Sequence, residues 1–299
     1  MKKSCITHKQ QEKRLWRKTK FIATIGLSTA SIVTLSIAFT NKISVAQSAD
    51  FLTKQLTAPP GANDPNCRPN AAHPEPVILV HGTAVTSLDW SALSPLLASK
   101  GYCVYALNYG NHGTGPIENS AQELKVFVDN VLALTGASKV SIVGHSQGGM
   151  MPRYYIKFLG GADKVDDLIA LSPSNYGSTL PTLFDSLICL RPDLSTGPGC
   201  LEQKQGSDFL NNLNAGDDAP GPVSYTVIAT KTDEVVTPYT NCFLRTGPGQ
   251  IKNITLQDYF PQDLTEHTFI NKDPNAFKFV YDALAKAGPA DPQRAMSSF

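Results

Sequence analysis

Charge is scarce in this chain: Asp, Glu, Lys and Arg make up 17% of its 299 residues, against 41% apolar ones. Such a composition can bury a core and is not that of a disordered chain. The few charges are also unevenly placed. Residues 1–48 hold nine of the 26 Lys/Arg and a single acid, Glu12, so residues 49–299 carry 17 bases against 24 acids, a net charge of −7. A mildly acidic body lacks the basic face that phosphate binding needs, which argues against nucleic acid as a partner. No Cys-x-x-Cys or paired-histidine spacing occurs, so there is no ready ligand set for a metal. No internal repeat of fixed period is visible, which sets solenoids and propellers aside. Histidine occurs only six times, so the search for a catalytic base is short.

What is present begins with a leader. A basic stretch ends at Lys20, an apolar run follows from Phe21 to Phe39, and small residues occupy 44–49. This is the pattern of a cleavable export signal over residues 1–48, with cleavage after Ala46 or after Ser48. The competing reading is an uncleaved anchor over residues 21–40, since the run is nearly long enough to span a bilayer. Its many Ser and Thr residues weaken that reading. Cys5 leaves with the leader, and the exported body keeps Cys67, Cys103, Cys189, Cys200 and Cys242. Outside the cell such residues pair. If the first two strands are neighbours, a Cys67–Cys103 bridge is reasonable. Cys189 and Cys200 flank a Pro/Gly loop and could close it, which leaves Cys242 over. Sequence does not fix connectivity, so these pairings are hypotheses.

Residues 49–75 are rich in Pro, Asn and Ala and read as an extended leading segment. Residues 76–299 then alternate strand and helix. Short apolar runs at 76–80, 104–107, 140–143, 168–171 and 225–229 suit strands buried on both faces of a parallel sheet, with a further short strand at 254–256. Helical spacing covers 91–100, 120–134, 150–159 and 277–286. The fold expected is α/β, a doubly wound and mostly parallel sheet with helices on both faces. Regularity fails over 172–222, an insertion too long to be a plain connection; it would wall or partly cover an acyl pocket. In such sheets ligands sit at the carboxyl ends of the strands.

The suspicious residues fall there. Gly144-His145-Ser146-Gln147-Gly148 follows the third strand and precedes a helix. The G-x-S-x-G spacing suits a sharp turn that lifts a serine hydroxyl above the sheet, and Ser146 is the candidate nucleophile. Serine is a weak nucleophile near neutral pH and needs a base. His267, in a loop before the last helix, stands where the order Ser…Asp/Glu…His requires one. An orienting carboxylate should lie between them just after a strand. Asp233 meets both conditions; Glu234 is the runner-up, with Asp258 and Asp263 weaker. The tetrahedral oxyanion needs backbone donors. Gln147 N–H, directly after the nucleophile, is one candidate and Thr83 N–H, in the loop ending the first strand, is the other.

Several stretches resemble one family. They are ValHisGlyThr at 80–83, GlyTyrCysValTyrAlaLeuAsnTyrGly at 101–110, ValGlyHisSerGlnGlyGlyMetMetProArgTyrTyrIleLysPheLeuGlyGly at 143–161, the blocks at 166–174 and 229–239, and GluHis at 266–267. Together they are similar to the secreted class 2 lipases over about residues 74–284. The resemblance implies an α/β-hydrolase fold, carboxylic-ester substrates, including lipid esters met at an interface, and the triad Ser146, Asp233 and His267. One departure is a missing cysteine shortly before the base, where Phe260-Pro261 stands; it bears on a third bridge through Cys242. No cofactor is implied, and a monomer is expected. An acyltransferase using the same side chains and a non-catalytic binding module on this fold stay open as alternatives.

Overall fold

The computed structural model describes residues 43–53, 55, 57–179 and 197–297. Five apolar runs become strands, β1 Val77–Val80, β2 Val104–Leu107, β3 Val140–His145, β4 Val165–Leu171 and β5 Ser224–Ala229, while the sixth strand, β6 Gln250–Thr255, starts four residues before the expected 254–256 and ends before Leu256, which opens a short helical turn. They form one sheet in the order β2-β1-β3-β4-β5-β6, parallel at every pairing. Both faces of this sheet are covered. Ile78 and Val80 join the core on one side of β1, while Val77 and Leu79 join the core on the other. A strand that must be apolar on both faces loses the alternation of a half-exposed one, which explains the unbroken runs.

Among the described residues the α-helices longer than four residues are α1 Val45–Thr53, α2 Ser94–Ser99, α3 Ile117–Thr135, α4 Gln147–Phe158, α5 Pro198–Glu202, α6 Asp208–Asn214, α7 Pro274–Ala285 and α8 Pro292–Ser297. One core takes Leu52 of α1, Leu124, Phe127 and Val131 of α3, and Met150 and Tyr155 of α4. The opposite core takes Leu97 of α2, Phe277, Phe279 and Val280 of α7, and Ala295 of α8. The structure is thus a doubly wound α/β sheet. Helix α3 is amphipathic at helical spacing: Ile117, Leu124, Phe127, Val128 and Val131 are fully buried, a contribution of about 1.5–3 kcal/mol apiece, while Val126 is exposed. It ends at Gly136, whose φ of 73° is the left-handed conformation a helix stop uses.

Two further local expectations change. The leading segment is not extended from residue 49: α1 spans Val45–Thr53, with Leu52 buried and Phe51 packed 6.2 Å from the Phe127 ring. Burial of this apolar pair on α3 overrides the loop-like composition that follows. Both expected cleavage points fall inside α1, and residues 1–42, with the apolar run of the leader, lie outside the described residues. No helix among the described residues is long and apolar enough to cross a membrane. Helix α4 begins at Gln147, three residues before the expected start, because the glycine-rich motif itself forms its first turn.

In the irregular insertion, described at 172–179 and 197–222, α5 and α6 are held by buried polar anchors. Arg153 of α4 is buried and donates to Asp218 O (2.7 Å), Asn175 Oδ1 (3.1 Å) and Asn214 Oδ1 (2.7 Å). Asp218 in turn accepts from Tyr176 Oη (2.6 Å) and from the N–H groups of Arg245 and Thr246 (2.8 Å each). Cys67 and Cys103 are bridged, and β1 and β2 are neighbours as that pairing requires. Cys200 is disulfide-bonded, while Cys189, its expected partner, lies outside the described residues. Cys242 is a buried free thiol.

Candidate active site

The turn between β3 and α4 places Ser146 in a backbone conformation that side chains avoid, with φ 54° and ψ −123°. Such a residue costs on the order of 1–3 kcal/mol and persists only where its surroundings over-determine it. Here Ser146 N–H donates to Leu171 O of β4 (2.9 Å), and Ser146 O accepts from the N–H groups of Gly149 (2.9 Å) and Met150 (3.2 Å). The glycines explain themselves. A Cβ at Gly144 would overlap the Gly148 carbonyl, and one at Gly148 would overlap the carbonyls of Val80 and His81. The sharp turn therefore needs both positions bare.

Gln147 is the first residue of α4, so its N–H has no acceptor within the helix. Facing it is the loop after β1. A Cβ on Gly82 would stand 3.2 Å from Ser146 Cβ, so the bare backbone lets this loop close on Ser146. The loop is braced by Tyr109 Oη donating to His81 O (2.8 Å), by His81 Nδ1–H donating to Gly82 O (2.7 Å), and by Ala84 N–H donating to His112 O (2.7 Å). Burial pushes the His81 ring down to about 4, so it stays neutral. Thr83 Oγ1 accepts from the side-chain amides of Gln147 (3.1 Å) and Gln203 (2.9 Å). Gln203 belongs to the insertion, is fully buried, and also accepts from Ser174 Oγ (2.8 Å). Nothing in the sequence pointed to it, because its contact with Thr83 spans 120 residues.

His267 opens a short 3-10 turn, His267–Lys272, beyond β6. Its Nδ1 lies 3.0 Å from each carboxylate oxygen of Asp233, which sits in the turn after β5. Asp233 Oδ1 also accepts from the N–H groups of Val235 (3.0 Å) and Val236 (2.7 Å). Burial alone would push this carboxyl up. The His267 ring beside it, the hydrogen bond to that ring and the Val236 N–H outweigh burial and hold it below its usual value. The runner-up acids have other partners. Glu234 Oε2 accepts from the backbone N–H of His267 (2.9 Å), Asp258 pairs with Lys231 (2.7 Å), and Asp263 accepts from Thr265 N–H (2.8 Å).

Among the described residues the ring of His267 hydrogen-bonds only through Nδ1, and no hydrogen bond joins Nε2 to the Ser146 hydroxyl. The two neighbourhoods meet instead through His145, whose Nε2 bonds His267 O at 2.9 Å and whose ring centre lies 5.0 Å from that of His267. Unliganded serine sites often show this looser geometry before substrate tightens it. A cavity of about 620 Å³ lies beside the His267 turn, between residues 259–265 and 269–275, and is lined by none of Ser146, Asp233 and His267. Among the described residues no group of three or more His, Cys, Asp or Glu could hold a metal.

A family model described as Lipase (class 2) matches residues 74–275. The chain belongs to the class 2 lipases. Within single segments it is similar to a triacylglycerol lipase of Pseudarthrobacter phenanthrenivorans, 34% identical over 138 residues, covering 38% of this chain and 43% of that one. A triacylglycerol lipase of Burkholderia plantarii is likewise 34% identical over 138 residues, covering 38% of each chain. The chain thus spans less than half the length of these curated relatives. Among solved structures, Aspergillus fumigatus lipase B superposes with a TM-score of 0.64 at 25% identity, over 74% of this chain and 54% of that one. The mature form of a Bacillus licheniformis lipase superposes with a TM-score of 0.58 at 18% identity, over 75% and 96%, and supports the α/β-hydrolase fold.

Proposed function

We propose that this class 2 lipase is a secreted carboxylic-ester hydrolase, a triacylglycerol lipase or esterase, working through an acyl-enzyme on Ser146. The observation that carries the reading is the strained serine at the head of α4, one residue from the His145 bond to the backbone of an Asp-paired histidine. Asp233 orients the His267 ring with Nδ1–H toward its carboxylate, which leaves Nε2 bare to take a proton. His267 takes the Ser146 proton as Oγ attacks the ester carbonyl, and the imidazolium returns it to the leaving alcohol. Water repeats the sequence and frees the acid. The N–H groups of Thr83 and Gln147 stabilise the tetrahedral oxyanion, about 3–4 kcal/mol for each donor.

Support for a lipid ester comes from the rim. Leu264 is 78% and Phe269 55% exposed on either side of His267, and Leu201 is 52% exposed two residues before Gln203. Such side chains favour contact with an apolar interface. The insertion reaches the oxyanion loop through Gln203, as a pocket wall would. The test is hydrolysis of a graded acyl-ester series by the secreted protein. Ser146→Ala should abolish turnover at unchanged melting temperature, and a fluorophosphonate should label Ser146 alone. Retention of more than a tenth of the activity by Ser146→Ala would refute the site. An intact Met1 on the secreted protein would refute removal of the leader.

A further inference from the structure

We infer that His145 is a positioning residue that ties the backbone of the proposed base to the turn carrying the proposed nucleophile; this rests on the triad reading above. A carbonyl oxygen only accepts, so the 2.9 Å contact between His145 Nε2 and His267 O requires the hydrogen on Nε2. Nδ1 of the neutral ring is then bare. It is buried without a hydrogen-bond partner and lies 3.8 Å from Asp89 Oδ2.

Asp89 is not idle there. It accepts from Asn271 Nδ2 (2.7 Å) and pairs with Lys272 Nζ (2.9 Å), both at the far end of the turn His267–Lys272. That turn is therefore gripped at its first carbonyl by His145, at its first N–H by Glu234 and at its last residues by Asp89. With the main chain pinned, Nδ1 can stand 3.0 Å from both oxygens of Asp233. Because His145 directly precedes Ser146, the grip sets the distance between nucleophile and base through a single residue. Misplacement of reacting groups by about 1 Å can cost on the order of a hundredfold in rate.

The test compares His145→Gln, whose amide N–H reaches a similar point, with His145→Leu, which has no donor. His145→Asn, too short to reach, replaces Leu should that variant fail to fold. The readouts are kcat and KM on a soluble short-chain ester and the low-field proton resonance of the His267–Asp233 hydrogen bond. His145→Leu should lower kcat about 10–100-fold with KM within threefold, and should broaden or erase the resonance. His145→Gln should stay within about fivefold of the wild type and keep the resonance. A Leu or Asn variant with unchanged kcat and resonance, or a Gln variant as impaired as Leu, overturns the role. Fluorophosphonate labelling separates the two levels. A wild type unlabelled at Ser146 brings down the triad reading itself, whereas a labelled wild type with a fully active Leu variant brings down only the positioning role.

Discussion

Replacing Asp233 by Asn probes the proposed mechanism most sharply, because the change removes a charge and leaves the shape. In the wild type Oδ1 accepts from the N–H groups of Val235 and Val236, and both oxygens lie 3.0 Å from His267 Nδ1. An asparagine would keep its carbonyl on those two backbone donors, so its NH2 must occupy the place of Oδ2. That group donates to Nδ1 and forces the hydrogen of the neutral ring onto Nε2, where it blocks uptake of the Ser146 proton. A base locked in the wrong tautomer costs about ten-thousandfold in kcat, or about 5.5 kcal/mol of barrier. KM should change little. The fold should survive, since the two turn hydrogen bonds remain. The carboxyl is held below its ordinary value, so its contribution to stability is complete above the unfolded-state pKa and fades as pH falls through the folded one. The stability gap between wild type and variant should therefore close in acid. Steady-state ester hydrolysis with urea melts at two pH values measures both effects. A variant within tenfold of wild-type kcat would refute the assignment, and a matching loss in Glu234→Gln would redirect it to the neighbouring acid.

Gly148→Ala should cost more than about 3 kcal/mol, beyond ordinary overpacking, because its Cβ meets backbone carbonyls that cannot turn aside; urea melts or the soluble yield will report it. Asp167 is a buried carboxyl pushed up to about 8 by burial and by neighbouring Asp166, so the folded state holds its proton where the unfolded chain has lost it. Stability should fall as pH rises from about 4 to 8, and Asp167→Asn should remove the decline, gaining about 1 kcal/mol or more at pH 8.5 and almost nothing at pH 4; equal urea midpoints at pH 8.5 would count against it. Opening the Cys67–Cys103 bridge, which closes a separation of 36 residues, should lower stability by about 4 kcal/mol on a chain-entropy basis. A Cys67→Ser melting curve compared with the wild type checks this.

Much of this architecture is written in local patterns. Unbroken apolar runs announced strands covered on both faces, helical spacing announced α3 and α7, and a glycine-serine-glycine turn announced the strained residue at the carboxyl end of β3. Those signals are legible because burial and backbone strain act on residues close together in the chain. Tertiary structure alone decided the rest. Asp233 and Glu234 are adjacent and chemically alike, yet the turn after β5 aims one carboxylate at the ring and the other at the main chain. The Gln203–Thr83 contact spans 120 residues and the His145–His267 contact 122, and packing on α3 turned residues 45–53 into a helix. Hydrogen bonds and burial at such separations depend on where the sheet and its turns place each atom, and no local pattern records that placement.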